Sequence, residues 1–213
     1  MINMDLNFAI YSFITLFIIV DPIVMVPIFR AILADYSKDV RKVMVKRAVF
    51  VGVIVLIIFT LAGNLIFKSL GIELYSFRIA GGILLFIISI EMLLGMRPST
   101  KSTEKEENEA IGKEDVVVTP LAVPLLTGPG AITTGIVLFN TAGSPVDRGM
   151  LFVVIAIVYV ISYFILSRSE RIFDVLGHTG TMVIVRIMGL LLSAIAVQFV
   201  ITGIGEAVAG IGL

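Results

Sequence analysis

Apolar residues run through this chain in long unbroken stretches, with the charges gathered between them. Six stretches come near the roughly 20 residues that a helix needs to cross a bilayer: residues 6–29, 48–67, 79–96, 116–139, 150–167 and 187–205. They contain two charges, Asp21 in the first and Glu91 in the third. Period-2 alternation, the mark of membrane barrel strands, is missing. The pattern predicts an all-α polytopic membrane protein with six transmembrane helices.

Composition strengthens that reading. Of 213 residues, 58% are hydrophobic and 15% charged, against about 45–50% and 25% in soluble domains. Mean hydropathy is +1.09. Such a chain has too few polar residues to coat a globule in water, so lipid must cover much of its surface. Lys plus Arg balances Asp plus Glu at 16 each, which leaves no basic excess for nucleic acid. With no cysteine and the single histidine His178, the chain cannot build a thiolate or His-rich metal site, and no cofactor is expected. No Lys or Arg precedes Asp21, so the first stretch is expected to be a retained span rather than a signal peptide.

The basic residues set the orientation. Arg30, Lys38, Arg41, Lys42, Lys46 and Arg47 follow the first stretch, and Arg97, Lys101, Lys105 and Lys113 the third. Arg168, Arg171 and Arg186 follow the fifth, while the other two connections hold only Lys68, Arg78 and Arg148. The richer side should be the cytoplasm, which places both termini outside a plasma membrane. Residues 97–115, with four basic and six acidic side chains, read as a charged cytoplasmic linker between two halves, 1–96 and 116–213.

The halves resemble each other. Pro22 and Pro27 return as Pro124 and Pro129, and Phe67, Leu70 and Gly71 return as Phe173, Leu176 and Gly177. Arg78-Ile79-Ala80-Gly81 and Gly95 return as Arg186-Ile187-Met188-Gly189 and Gly203. Three spans per copy is an odd number, so the second copy must lie inverted in the membrane. Inverted 3+3 repeats are typical of secondary transporters, whose mirrored halves rock between outward-open and inward-open states.

Each half opens with a span holding two prolines, and a proline within a helix removes one N–H and clashes with the carbonyl four residues back. Thr127-Gly128-Pro129-Gly130 adds two glycines, so real unwinding is expected there. Freed backbone groups must face protein or a wet cavity. A half-helix N-terminus favours an anion and a half-helix C-terminus a cation, which together suit a small zwitterionic amino acid. Candidate substrate-binding residues are Asp21, Pro22, Pro27, Thr127, Gly128, Pro129, Gly130 and Thr133. Asp21 and Glu91 are the candidate proton-carrying or gating acids. For Asp21 the alternative is an N-cap before Pro22; its proline-aligned counterpart is Val123, so the repeat alone does not demand an acid. Asn64, Ser89, Ser162, Ser193 and Gln198 are expected to bind between helices, and Gly81, Gly82 and Gly189 to let helices approach closely.

Ile19-Val20-Asp21-Pro22-Ile23-Val24-Met25-Val26-Pro27-Ile28-Phe29 resembles the first-span motif of the MarC family, Asp-Pro-x-Gly-x-x-Pro-x-Phe. Pro120-Leu121-Ala122-Val123-Pro124-Leu125-Leu126-Thr127-Gly128-Pro129-Gly130-Ala131-Ile132 is similar to that family's fourth-span motif, and Arg78-Ile79-Ala80-Gly81-Gly82 to its third-span opening. The resemblance covers the whole chain. It implies transport of small neutral amino acids such as glycine and alanine, the activity best supported in the family's SnatA branch and its bacterial exporters, with the two broken-helix motifs forming the pocket. Val24 stands where the family has glycine, which is expected to leave the first span less freely unwound than the fourth.

The leading expectation is thus a secondary transporter of glycine, alanine or related amino acids, with proton coupling and direction left open. A channel or a non-transporting scaffold is the runner-up. A membrane-embedded enzyme ranks last, because the spans lack a Ser–His pair, a metal-ligand set or facing aspartates.

Overall fold

The computed structural model describes residues 6–33, 36–95 and 117–211. The charged linker 97–115 and the predicted span ends Met96 and Val116 lie outside the described residues, as do the side chains of Asn64, Phe67, Pro124 and His178. Every described element is helical: α1 (Leu6–Val20), α2 (Met25–Ile32), α3 (Lys38–Leu70), α4 (Leu74–Leu93), α5 (Val118–Leu126), α6 (Pro129–Thr141), α7 (Pro145–Leu166) and α8 (Ser169–Ile211). Lys38–Gly63, Leu74–Leu93, Pro145–Leu166 and Thr179–Gly210 are long and apolar enough to cross a membrane. The two remaining predicted spans are not single helices. Residues 6–29 divide into α1 and α2, and 116–139 into α5 and α6, because the proline-bearing segments between them cannot continue a regular helix.

Hydropathy marked the second span from residue 48, yet α3 starts at Lys38 and runs for 33 residues. At 1.5 Å per residue it is about 50 Å long, well beyond the ~30 Å hydrocarbon layer, so polar residues 38–47 continue the helix past the apolar stretch. Large apolar side chains face outward along the long helices: Phe50, Ile54 and Leu61 on α3, Ile83 and Phe86 on α4, Val153 and Val160 on α7, Leu190 and Ile201 on α8. Lipid is the natural solvent of such faces. The fully buried Leu16, Met25, Leu56, Leu85, Leu125, Leu126 and Tyr159 form a core around the two interrupted spans.

α4 and α8 share the most extensive interface, and they cross antiparallel. A Cβ placed on Gly82 would lie 2.8 Å from the Ala196 carbonyl oxygen, one on Gly189 3.1 Å from that of Ser89, and one on Gly203 3.0 Å from that of Tyr75. Small residues let the backbones touch, the usual basis of helix association in lipid, where no hydrophobic force acts between helices. The seam is nearly self-symmetric. Gly203 meets Tyr75 and Ile79, while Gly95, 108 residues earlier, meets Met182 and Arg186. A second correspondence lies in the backbone: Gly71 and Gly177, 106 residues apart, take φ of +65° and +63°. Gly177 kinks α8, and Gly71 ends the helical run of α3.

The serines behave differently from expectation. Ser89, Ser162 and Ser193 donate to Phe86, Val158 and Leu190 carbonyls of their own helices, and Gln198 donates to Thr202 on the same helix. Local carbonyls three or four residues back are always within reach, so the hydroxyls bind there and not across helices.

Charged pairs mark the two ends of the bundle. At one end Arg30 stacks on Phe173 (4.4 Å to the ring centre) and approaches Asp174 at 3.8 Å, and Arg41 pairs with Glu170. At the other, Arg78 pairs with Glu206 at 2.8 Å.

Candidate functional site

The interrupted spans supply the site. α1 stops because Asp21 enters the left-handed region at φ +50°, which L residues other than Asn and Asp rarely visit. Its N–H still donates to the Phe17 carbonyl at 3.0 Å, closing the last turn as an αL cap does. Its side chain then turns forward, Oδ1 accepting from the Val24 N–H at a long 3.4 Å. One residue thus ends α1 and leads toward α2. Asp21 is 1% exposed, and a carboxylate taken out of water in this way is costly unless it is hydrogen-bonded. Pro22 lies buried in the turn and Pro27 half-buried in the first turn of α2. The N-cap expected for Asp21, with Pro22 as the first helical residue, is not what forms: Asp21 closes α1, Pro22 to Val24 are a turn, and α2 begins only at Met25. Val24 does not keep the span wound: the chain leaves the helix over residues 21–24.

The second interruption is built otherwise. α5 is a wide π-type helix, and its last turn closes on a Thr127 N–H to Ala122 carbonyl bond of 2.9 Å, five residues back. Its two prolines, Pro120 and Pro124, bring no N–H to a tighter ladder. Thr127 and Gly128 are non-helical, and Pro129 is the first residue of α6. There it needs no N–H and its ring pre-sets φ, so Pro129 starts a helix where the sequence reading made it disturb one. The Ile132 N–H returns to the Gly128 carbonyl at 3.1 Å.

Thr127 is fully buried and pinned. Its hydroxyl lies 2.9 Å from the Gly52 carbonyl on α3 and 2.6 Å from the Tyr159 hydroxyl on α7, which is itself 3.4 Å from the Leu126 carbonyl. Three helices therefore hold the second break. Gly52 belongs to the clamp by size, since a Cβ there would lie 2.8 Å from the Thr127 hydroxyl oxygen.

The breaks meet. Ile19, near the end of α1, and Gly128, Pro129, Gly130 and Ala131, at the start of α6, surround a void of about 10 Å³ with Leu85 and Ile88 of α4 and Leu192 of α8. That is scarcely room for one water. A Cβ on Gly130 would lie 2.6 Å from Leu85 and 3.6 Å from Ile19. The carbonyl-bearing end of one half-helix thus stands beside the N–H-bearing end of another, with opposite partial charges.

Of the remaining candidates, Thr133 donates its hydroxyl to its own Pro129 carbonyl at 2.9 Å and turns its methyl to Gly81. Its neighbour Thr134 is the fully buried one whose hydroxyl has no hydrogen-bond partner among the described residues, and Ser12 on α1 and Thr60 on α3 share that condition. Glu91 stands half-buried near the end of α4, one turn beyond Ile88 and not among the residues around the void. Sequence reasoning missed Gly52 and Tyr159, because contacts across 75 and 32 residues leave no local pattern.

Long apolar helices, lipid-facing side chains and a core of interrupted helices define a multi-pass integral membrane protein. The family model for MarC family integral membrane proteins matches residues 6–208, and the chain belongs to that family. It is 42% identical to a UPF0056 membrane protein of Methanocaldococcus jannaschii over 93% of this chain and 87% of the relative. It is 39% identical to one of Archaeoglobus fulgidus over 98% and 97%, and 35% identical to one of Aquifex aeolicus over 91% and 90%. No solved structure gives a significant match.

Proposed function

We propose that this protein is a secondary transporter of small neutral amino acids, of the size of glycine and alanine, working by alternating access in the plasma membrane. The observation that carries the reading is the meeting of the two breaks, a half-helix C-terminus beside a half-helix N-terminus around one small void. A carboxylate suits the amide end and an ammonium the carbonyl end, with the Asp21 carboxylate close in sequence to the latter. The void as it stands is too small for glycine, so the two breaks must move apart for substrate to enter.

Six spans in an inverted 3+3 repeat complete the proposal. In its favour are the paired φ-positive glycines Gly71 and Gly177, the self-symmetric α4–α8 seam, and breaks that begin at Asp21 and Thr127, the same 106 residues apart as the glycines. On this register Asp21 corresponds to Thr127, a polar residue, and not to Val123 as the prolines alone suggest. The basic cluster around Arg30, Arg41, Arg168 and Arg171 lies at the end assigned to the cytoplasm, with both termini outside. Asp21 is the acid on which proton coupling would turn, and Glu91 takes a gating role at most. The cycle needs no catalytic step and no cofactor.

Counterflow tests the proposal. Purified protein in liposomes preloaded with unlabelled glycine or alanine should draw in labelled glycine saturably, and an imposed pH gradient should alter the rate if protons are coupled. Absence of counterflow across a panel of neutral amino acids, from folded protein, would defeat it. Linear, unsaturable flux would favour a channel instead.

A further inference from the structure

Arg78 carries a buried binding edge that the site above does not use. The residue is 4% exposed, near the start of α4. Its Nη1 donates to Glu206 of α8 at 2.8 Å. Its Nε and Nη2 are shielded from solvent and have no hydrogen-bond partner among the described residues. These two nitrogens are the side-on edge of a guanidinium, whose parallel N–H bonds match the two oxygens of a carboxylate. Leaving two charged donors unsatisfied in a buried setting is costly. Such donors call for an acceptor that the described residues do not supply.

The surroundings suit a small ligand. Arg78 lines a cavity of about 490 Å³ together with Tyr11 of α1, Thr141 of α6, and Gln198 and Thr202 of α8, hydrogen-bonding side chains from three helices. Val137, Leu138 and Phe199 supply the apolar part of the wall. Arg78 is itself one of the residues that line the cavity, so binding requires its side chain to turn the shielded fork toward that space. Tyr11 stands ten residues before Asp21 on α1, and Leu138 eight after Gly130 on α6, which places the cavity about 12–15 Å along the bundle from the breaks. Between the two levels α4 closes on α6, Gly81 against Thr133 and Leu85 against Gly130. Fully buried hydroxyls of Ser12 and Thr134 stand on α1 and α6 within the same interval. The end of the bundle concerned is the one that the charge distribution assigns to the outside.

We infer that Arg78 and its cavity form a separate carboxylate-binding site, an outer receptor that takes the carboxylate of a small amino acid on the Nε–Nη2 edge of Arg78 while Glu206 holds the opposite edge. The carboxylate site stands on this geometry. Its role as receptor for the transported molecule rests on the transport reading above.

Binding by the full chain in nanodiscs of phosphatidylcholine tests it, read as displacement of labelled glycine and as ligand-induced rise of the unfolding midpoint. Probes are glycine, acetate, glycine methyl ester and inorganic phosphate. Acetate and glycine should act on the natural protein and on Glu206→Gln, and glycine methyl ester should act on neither. Arg78→Lys keeps the charge and the reach to Glu206 but loses the fork, and should weaken acetate by at least about tenfold. Acetate without effect, Arg78→Lys binding acetate as the natural protein does, or the methyl ester acting as well as glycine would each overturn the site. A response to phosphate alone would overturn it too, by assigning the fork to another oxyanion such as a lipid headgroup. The two readings separate cleanly. Counterflow without acetate binding removes the outer site and leaves the transporter, whereas acetate binding without counterflow keeps the site and removes the transporter.

Discussion

The two interrupted spans solve one problem by different means. At the first, a single side chain does the work: Asp21 ends α1 with a left-handed residue and offers its carboxylate to the Val24 N–H. At the second, the backbone is widened beforehand by a π-type helix, and a clamp of the Gly52 carbonyl and the Tyr159 hydroxyl fixes Thr127 before Pro129 restarts the helix. A break held by a charge can respond to protons and to cations. One held by two neutral hydroxyls and by backbone carbonyls of Gly52 and Leu126 cannot, and serves as a fixed frame. On the transport reading proposed above, the first break is the one a charge change should affect and the second the one a packing change should affect, although both lie beside the same junction of Ile19 and Gly130.

The largest test of that division is steric. Gly130→Val adds bulk where even a single Cβ would lie 2.6 Å from Leu85; overpacking of this kind costs about 1–3 kcal/mol. Glycine counterflow should be lost, with a lower unfolding midpoint in detergent. A variant that transports normally would show that the junction is not the site.

Charge comes next. Asp21→Asn keeps an oxygen for the Val24 N–H but removes the carboxylate. Counterflow should fall by about tenfold or more, equivalent to some 1.4 kcal/mol, while the unfolding midpoint stays within a few degrees. Equal loss of stability and transport would reduce Asp21 to a cap.

Thr127→Val and Tyr159→Phe should each cost about 1–2 kcal/mol, since buried hydrogen-bond partners are removed. Denaturation of the double variant should show less than the sum, because both act through one hydrogen bond. Strict additivity would break the clamp into two unrelated contacts.

Two smaller effects sharpen the comparison. Gly71→Ala and Gly177→Ala should each cost about 1 kcal/mol, similar at both positions because both glycines take the left-handed conformation. Val24→Gly, restoring the family residue, should cost about 0.5–1 kcal/mol and widen the range of accepted amino acids in a competition assay.

Much of this was legible in advance. Pro22, Pro27 and Thr127–Gly130 marked both breaks, because proline and glycine act on the backbone locally, whatever surrounds them. Gly71 and Gly177 were legible only as a repeated pair, not as left-handed residues, and of the seam glycines only Gly82 and Gly189 were expected to let helices approach, with no partner named. What stayed hidden needed distant partners. Nothing near Tyr159 says that it meets Thr127, and Arg78 reads only as a basic residue of an outer connection and a motif residue until the structure buries it against Glu206. The hydropathy pattern also overcounted single helices, since it records which residues prefer lipid and not whether the chain between them stays wound. It aligned the repeats on their prolines, although Pro27 falls inside the first turn of α2 and Pro129 at the first residue of α6.

The α4–α8 seam has a consequence for how the chain can be made. It joins a helix of the first half to one of the second through backbone contact at Gly82, Gly189 and Gly203, and such contact depends on shape alone, with no help from the peptide chain that links the halves. A gene divided within residues 97–115 should therefore yield two polypeptides that insert separately, find each other in the bilayer and co-purify as one protein. A single bulky residue at Gly82 should leave them as strangers in the same membrane.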